Sequence, residues 1–318
     1  MSYVEHLREL HGLPVFDFGD HKAEQELPEA GAVAWRLAED PYGESSDEEF
    51  GDLWDRFLDT VDCAGVRAIV VGPWGEVYDH DSSDVVRRLV SAHDRLTGLR
   101  AVFLGDLVME EAEISWIEQS DVTPVLAAYP LLEEFGVRGG TKLRFPAVRH
   151  RSLRTLCFEA GGLPGEVVRG VVASELPALE HLDIWLGVQQ YGGDTTVADL
   201  APLLAGGRFP ALSHLGLCNS EIEDEIAAAV AGSPLVAQLS SLALSLGMLT
   251  DEGATALLEG QPLTHLTTLD LRHNYVTDAV AKRIQTALEP HGVEVDLSEP
   301  GQEWEDDGEV HRFTAVAE

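Results

Sequence analysis

Basic side chains are scarce in this chain: 21 Lys and Arg stand against 56 Asp and Glu in 318 residues, a formal net charge of −35. A surface of that sign repels the phosphate backbone, which argues against direct nucleic-acid binding and against adhesion to an anionic membrane. It steers a basic protein or peptide inward. The same acidity would arise if it served solubility alone or reflected a salt-rich or acid-biased proteome. Cysteine is also rare. Cys63, Cys157 and Cys218 are too few and too scattered for a disulfide framework, so the expected setting is reduced and cytoplasmic. No apolar run approaches the ~20 residues of a spanning helix. The opening MSYVEHLRELHG carries charge where a signal peptide needs an apolar core. Gly-x-Ser-x-Gly, His-Glu-x-x-His and a dinucleotide fingerprint are missing, and no Gly-Lys-Ser/Thr follows the glycines of Tyr191-Gly-Gly-Asp-Thr. The expectation is a protein without enzymatic activity or cofactor.

What the chain does have is apolar residues in phase. Leu266-x-x-Leu269-x-Leu271-x-x-Asn274 is followed by Val280, Ile284 and Leu288 at helical spacing. Leu269 and Leu271 are two apart and point the same way on a strand, while Thr268, Asp270 and Arg272 point the other way. The same frame starts at Val66, Leu99, Leu132, Leu153, Leu179, Leu212 and Leu239, in steps of 33, 33, 21, 26, 33, 27 and 27 residues. One such frame means nothing, because leucine is common; eight in phase predict eight stacked strand–turn–helix units. A doubly wound α/β domain has no reason to repeat the frame.

The last three units resemble the ribonuclease-inhibitor-like class of leucine-rich repeat proteins, carried by Leu249-Thr-Asp-Glu-Gly-Ala-Thr-Ala-Leu257 and Val276-Thr-Asp-Ala-Val280. With the start Leu13-Pro-Val-Phe-Asp-Phe18, the irregular register resembles an uncharacterised bacterial family, mostly from actinomycetes, of leucine-rich repeat proteins. The resemblance spans roughly Val66 to Leu297 and implies an α/β solenoid, a horseshoe of about eight repeats with a parallel concave sheet and outer helices. It implies a binding scaffold and carries over no catalytic residue. Only Asn274 fills the asparagine position; Trp74, Leu107, Gly140, Gly161, Gly187, Ser220 and Gly247 stand in its place elsewhere, so backbone or water must satisfy those turns.

The domain reading is a cap over 1–62, a solenoid over 63–298 and an acidic tail over 299–318. Tyr3 to Leu10 reads as a short helix, and Val15 to Phe18 and Val33 to Leu37 as strands, with Trp35 to Leu37 a candidate cryptic first repeat strand. Asp47 would cap a helix whose apolar face is Phe50, Leu53, Trp54, Phe57, Leu58 and Val61, read as core rather than a ligand box. Gly139 to His150 leaves no room for a helix, and Val293 to Leu297 would close the sheet. Glu299 to Glu309 is too acidic and too poor in apolar residues to pack, and Val310 to Val316 would add a strand or a peptide-like tail.

Alternate residues of each frame fall into three lanes on the face free of helices. Their middle gathers Glu134, Arg138, Glu159, His181, Asp183, Trp185 and His214. An aromatic among charges is the usual make-up of a binding hot spot, so this patch is the expected contact for a protein or peptide partner, with nucleic acid and membrane excluded. An accessory or inhibitory subunit holding a basic partner is the alternative. His181 and His214 on adjacent strands, with Asp183, could also hold zinc; two solvent-facing histidines on a binding surface are the preferred reading, and Cys157 and Cys218 are expected to lie too far apart for a disulfide.

Overall fold

Leu156, Leu182, Leu215 and Leu242 sit side by side on neighbouring parallel strands, each paired in register with the next. The computed structural model describes residues 3–19, 26–40, 48–306 and 309–318. Within them the frame residues of all eight predicted units lie in one apolar layer, together with the inner faces of the helices.

The chain enters through a small hairpin, β1 (Glu9–Leu10) antiparallel to β2 (Leu13–Asp17), and β3 (Ala34–Leu37) then adds in parallel. Strands β4 (Ala68–Val71), β5 (Ala101–Leu104), β6 (Glu134–Arg138), β7 (Thr155–Glu159), β8 (His181–Gly187), β9 (His214–Ser220), β10 (Ser241–Ala243), β11 (Thr268–Asp270) and β12 (Glu294–Asp296) follow. The twelve strands form one sheet in strict sequence order, parallel after the first hairpin. Consecutive strands that always become neighbours, with a helix in most connections, make a repeat-like α/β fold. The helices are α1 (Phe50–Thr60), α2 (Ser83–Ser91), α3 (Thr123–Ala128), α4 (Gly165–Ala173), α5 (Val197–Leu204), α6 (Glu223–Ala231), α7 (Asp251–Gly260) and α8 (Asp278–Leu288). None of the described helices is long and apolar enough to cross a membrane. No helix forms between β6 and β7, the connection too short for one.

The 27-residue step of the last units repeats in backbone detail. Asn219, Leu246 and His273 all take a left-handed φ, of 55°, 65° and 47°, a conformation that costs a leucine or histidine about 1–3 kcal/mol and turns the chain off its strand. Asp224 accepts from the backbone and hydroxyl of Thr250 at 2.8 and 2.6 Å, and Asp251 does the same for Thr277 at 2.8 and 2.8 Å. Each helix start is thereby tied to the next. Asn274 accepts from Leu249 N at 3.1 Å and donates to the carbonyls of Leu244 and Leu271 at 2.7 and 3.1 Å, satisfying a buried turn.

The first strands extend the same sheet. Phe18, Trp35 and Phe57 meet edge to face or tilted, with centroids 5.4–6.0 Å apart, and α1 buries Phe50, Leu53 and Trp54 over that end. These aromatics are core, as their helical spacing suggested. Residue 47 lies outside the described residues; the cap position next to the helix is Glu49.

Two local expectations fail. Residues 3–10 are not helical: only Glu9–Leu10 is strand and the rest has no regular structure, with Leu10 buried and Leu7 and Leu13 packed on Ala34, Ala68, Val70, Ala101 and Phe103. Pairing with β2 and burial on the sheet override a spacing of Val4, Leu7 and Leu10 that a helix would share. The acidic tail also orders: β13 (Trp304–Asp306) pairs with β14 (Glu309–His311), and Val316 is buried. Val310 therefore joins a hairpin within the tail instead of a strand of the main sheet.

Leu182 is fully buried between strands and helices. Leu182→Ala is expected to lower stability by about 2–5 kcal/mol in urea unfolding; a change below about 1 kcal/mol would contradict its place in the shared layer.

Candidate functional site

The strand register sets the site. Thr155, His181, His214, Ser241 and Thr268 stand in one row across β7 to β11, and Cys157, Asp183, Gly216, Ala243 and Asp270 in the next. Their side chains leave the sheet on the face opposite the helices, since the residues between them fill the helix-backed layer.

On the early strands this face is covered by the N-terminal arm. Asp106, fully buried, accepts from Arg36 Nε at 2.8 Å and from Leu7 N at 2.9 Å, and lies 3.2 Å from His6 Nδ1. Burial alone would raise the Asp106 carboxyl, but the bonds from His6 and Leu7 and the two guanidinium groups of Arg36 and Arg138 outweigh it and hold the carboxyl below its ordinary range. His6 is correspondingly raised, chiefly by its bond to Asp106. Arg138 is only 3% exposed. It donates to Glu159 at 2.7 Å, to the Leu107 carbonyl at 2.6 Å and to the Glu5 carbonyl at 3.1 Å, and its guanidinium lies over the Phe103 ring. The arm continues to Tyr3, whose hydroxyl is 2.8 Å from His273 Nδ1.

The predicted patch thus divides. Arg138 is committed to internal bonds, Glu159 is its partner, and Glu134 faces His11 at 3.4 Å. His181, Asp183, Trp185 and His214 remain partly exposed beyond the arm. The two imidazole rings stack with centroids 3.9 Å apart and planes 6° from parallel. Both present Nε2 to Asp183: His181 to Oδ2, and His214 to Oδ1 at 3.2 Å. Burial would raise the Asp183 carboxyl, but the hydrogen bonds from His181 and His214 outweigh it and hold it well below the usual range. Gly216 makes the space: a Cβ there would stand 1.8 Å from Asp183 Oδ1. His181 also lines a pocket of ≈ 270 Å³ with His11, Glu134, Arg154 and Thr155 among its walls. Cys157 and Cys218 are free thiols, and burial pushes both above the ordinary cysteine value. Neither is a ready nucleophile.

Two residues escaped the sequence reading. Asn219 is fully buried; it donates to the Ala160 carbonyl at 3.1 Å, and its Oδ1 accepts from Val316 N at 3.0 Å. It sits one residue before the frame's asparagine position, and so it was passed over. Glu223 occupies the place of Thr250 and Thr277, 27 residues earlier. It is fully buried, and neither carboxyl oxygen has a hydrogen-bond partner among the described residues.

Burial pushes the Glu223 carboxyl well above its ordinary value. A folded-state pKa above the unfolded ~4.3 leaves the neutral acid tolerated below that pH, and stability falls as pH rises from there through the folded pKa. Glu223→Gln is therefore expected to raise the thermal midpoint at pH 8 and to change it little at pH 4. A variant no more stable than the parent at pH 8 contradicts this account.

No protein-family model matches the chain, and no curated protein matches it. Among solved structures, the crystal structure of a Bacteroides fragilis protein determined by structural genomics superposes with a TM-score of 0.79 at 31% identity, and the match covers 89% of this chain and 77% of that one.

Proposed function

We propose a function for this chain, which belongs to one family with the Bacteroides fragilis protein: it is a leucine-rich repeat horseshoe that binds another protein or a peptide on the concave side of its sheet, without catalysis. One observation carries the reading. The face already holds a non-helical segment, the chain's own residues 3–10, through apolar contacts from Leu7 and Leu10 and charge-assisted bonds to main-chain atoms from Asp106 and Arg138. A peptide added beyond the arm would meet the same kind of surface, now polar and aromatic: His181, Asp183, Trp185 and His214. A buried aromatic with charged neighbours is where binding energy concentrates. The contact patch is accordingly narrower than the sequence alone suggested, because Arg138 is sealed beneath the arm.

The net charge of −35 favours a basic partner, and the alternative reading is an accessory or inhibitory subunit that holds one; the three scattered cysteines suit a reduced, cytoplasmic setting. High salt would release such a partner and spare an apolar one.

Trp185→Ala is expected to weaken capture of the partner that co-purifies from the native source by roughly 30-fold, the ~2 kcal/mol of a hot-spot truncation. Capture unchanged by Trp185→Ala and by His214→Ala would put the contact elsewhere.

A further inference from the structure

We propose that His181, Asp183 and His214 form a binding site for one divalent transition-metal ion of the zinc class. Among the described residues they are the group of three potential ligands whose donor atoms all lie within 4.8 Å of one another. Bound zinc holds nitrogen and carboxylate oxygen at about 2.0–2.2 Å in tetrahedral array, which spaces ligands roughly 3.4 Å apart. The ring centroids now stand 3.9 Å apart and the planes 6° from parallel, so both imidazoles must tilt for their Nε2 lone pairs to converge on one ion. Two imidazoles and a carboxylate suit zinc, cobalt, nickel and copper better than magnesium or calcium, which prefer all-oxygen sites.

Three features of the surroundings suit a bound metal. First, both rings aim Nε2 at the same carboxylate. A proton on each Nε2 satisfies Asp183 when no metal is bound, and a cation takes that place once each ring carries its proton on Nδ1 instead. Second, His214 Nδ1 lies 3.0 Å from Ser241 Oγ, which in turn meets Thr268 Oγ1. A hydroxyl can donate to Nδ1 or accept from it, so it supports the Nε2–H tautomer without metal and the Nδ1–H tautomer that frees Nε2 for ligation. A partner on the remote nitrogen is the usual support of a metal-bound histidine. Third, Gly216 leaves the space that the carboxylate occupies. Three protein ligands leave a coordination position for water or for a donor group of a guest. The inference does not depend on the peptide-binding reading, because its test uses the metal alone.

The full chain, stripped with chelator and dialysed into metal-free buffer, is titrated calorimetrically with Zn²⁺, and Co²⁺ absorption reports the ligand field. The expected result is one equivalent of Zn²⁺ per chain, a cobalt spectrum of nitrogen-ligated tetrahedral type, and a rise in thermal midpoint with Zn²⁺. Asp183→Asn and His181→Ala should weaken binding at least about 100-fold, and Ser241→Ala by the roughly 10–100-fold typical of a lost outer partner. His181 has a 39% exposed side chain, so its alanine variant should fold, which circular dichroism checks. No stoichiometric uptake by the parent chain, or uptake of the same strength in His181→Ala, would overturn the proposal and assign any bound zinc to the acidic surface.

Discussion

In a sheet the side chains alternate with a period of two, so a one-residue slip between strands would turn every frame leucine outward and every lane residue inward. Strands β4 to β9 avoid that slip because each contributes at least two apolar residues to the layer beneath the helices, and β10 and β11 contribute Leu242 and Leu269 with Leu244 and Leu271 just beyond them. Phe135 meets Leu156, Leu156 meets Leu182, and Leu182 meets Leu215. The pairing that buries these residues also fixes which residues line up on the other face. The stacking of His181 on His214 and the position of Asp183 between their nitrogens are by-products of leucine burial one position away, at Leu182 and Leu215.

The other face has two characters, set by what covers it. Over β3 to β5 its residues are Ala34, Ala68, Val70, Ala101 and Phe103, too apolar to leave in water, and the arm shields them. The arm is anchored by charges: the pairs that Arg36 and Arg138 make with Asp106, Asp17 and Glu159 are largely withdrawn from solvent, and each guanidinium has several partners to offset its desolvation. From β7 onward Thr155, Glu159, His181, Asp183, Trp185, His214, Ser241, Thr268 and Asp270 are partly exposed, whereas Gly216, Cys218 and Ala243 are buried. The tail returns to the same structure: Ala315 N donates to Leu246 O at 2.9 Å and Phe313 N to the Tyr275 hydroxyl at 2.8 Å. Tyr3 and Phe313 line one pocket, so both ends of the described chain lie close together there.

The sheet was legible in the sequence because its signal is local and repeated. Every frame strand from β4 to β11 starts within three residues of its first frame position, and the lanes follow from the period of two. The arm was not legible for the same reason. Its conformation depends on Asp106 and Arg138, about a hundred residues away, and Val4, Leu7 and Leu10 fit a helix as well as an extended chain. Arg138 was read as a surface residue because its burial is created by that arm. Glu223 could have been found by laying residues 223, 250 and 277 side by side, where an acid replaces two threonines. The histidine pair followed directly from the frame. The tautomer support from Ser241 and the clearance at Gly216 needed three strands in place at once.

The central claim is that the partly exposed lane residues of β8 and β9, His181, Asp183, Trp185 and His214, are the contact surface. Hydrogen exchange on the full chain, with and without its co-purified partner, tests it most directly. The account predicts new protection over 181–187 and 214–220 and little change in α4 to α8. Protection confined to the helices, with those two strands unaffected, would contradict it.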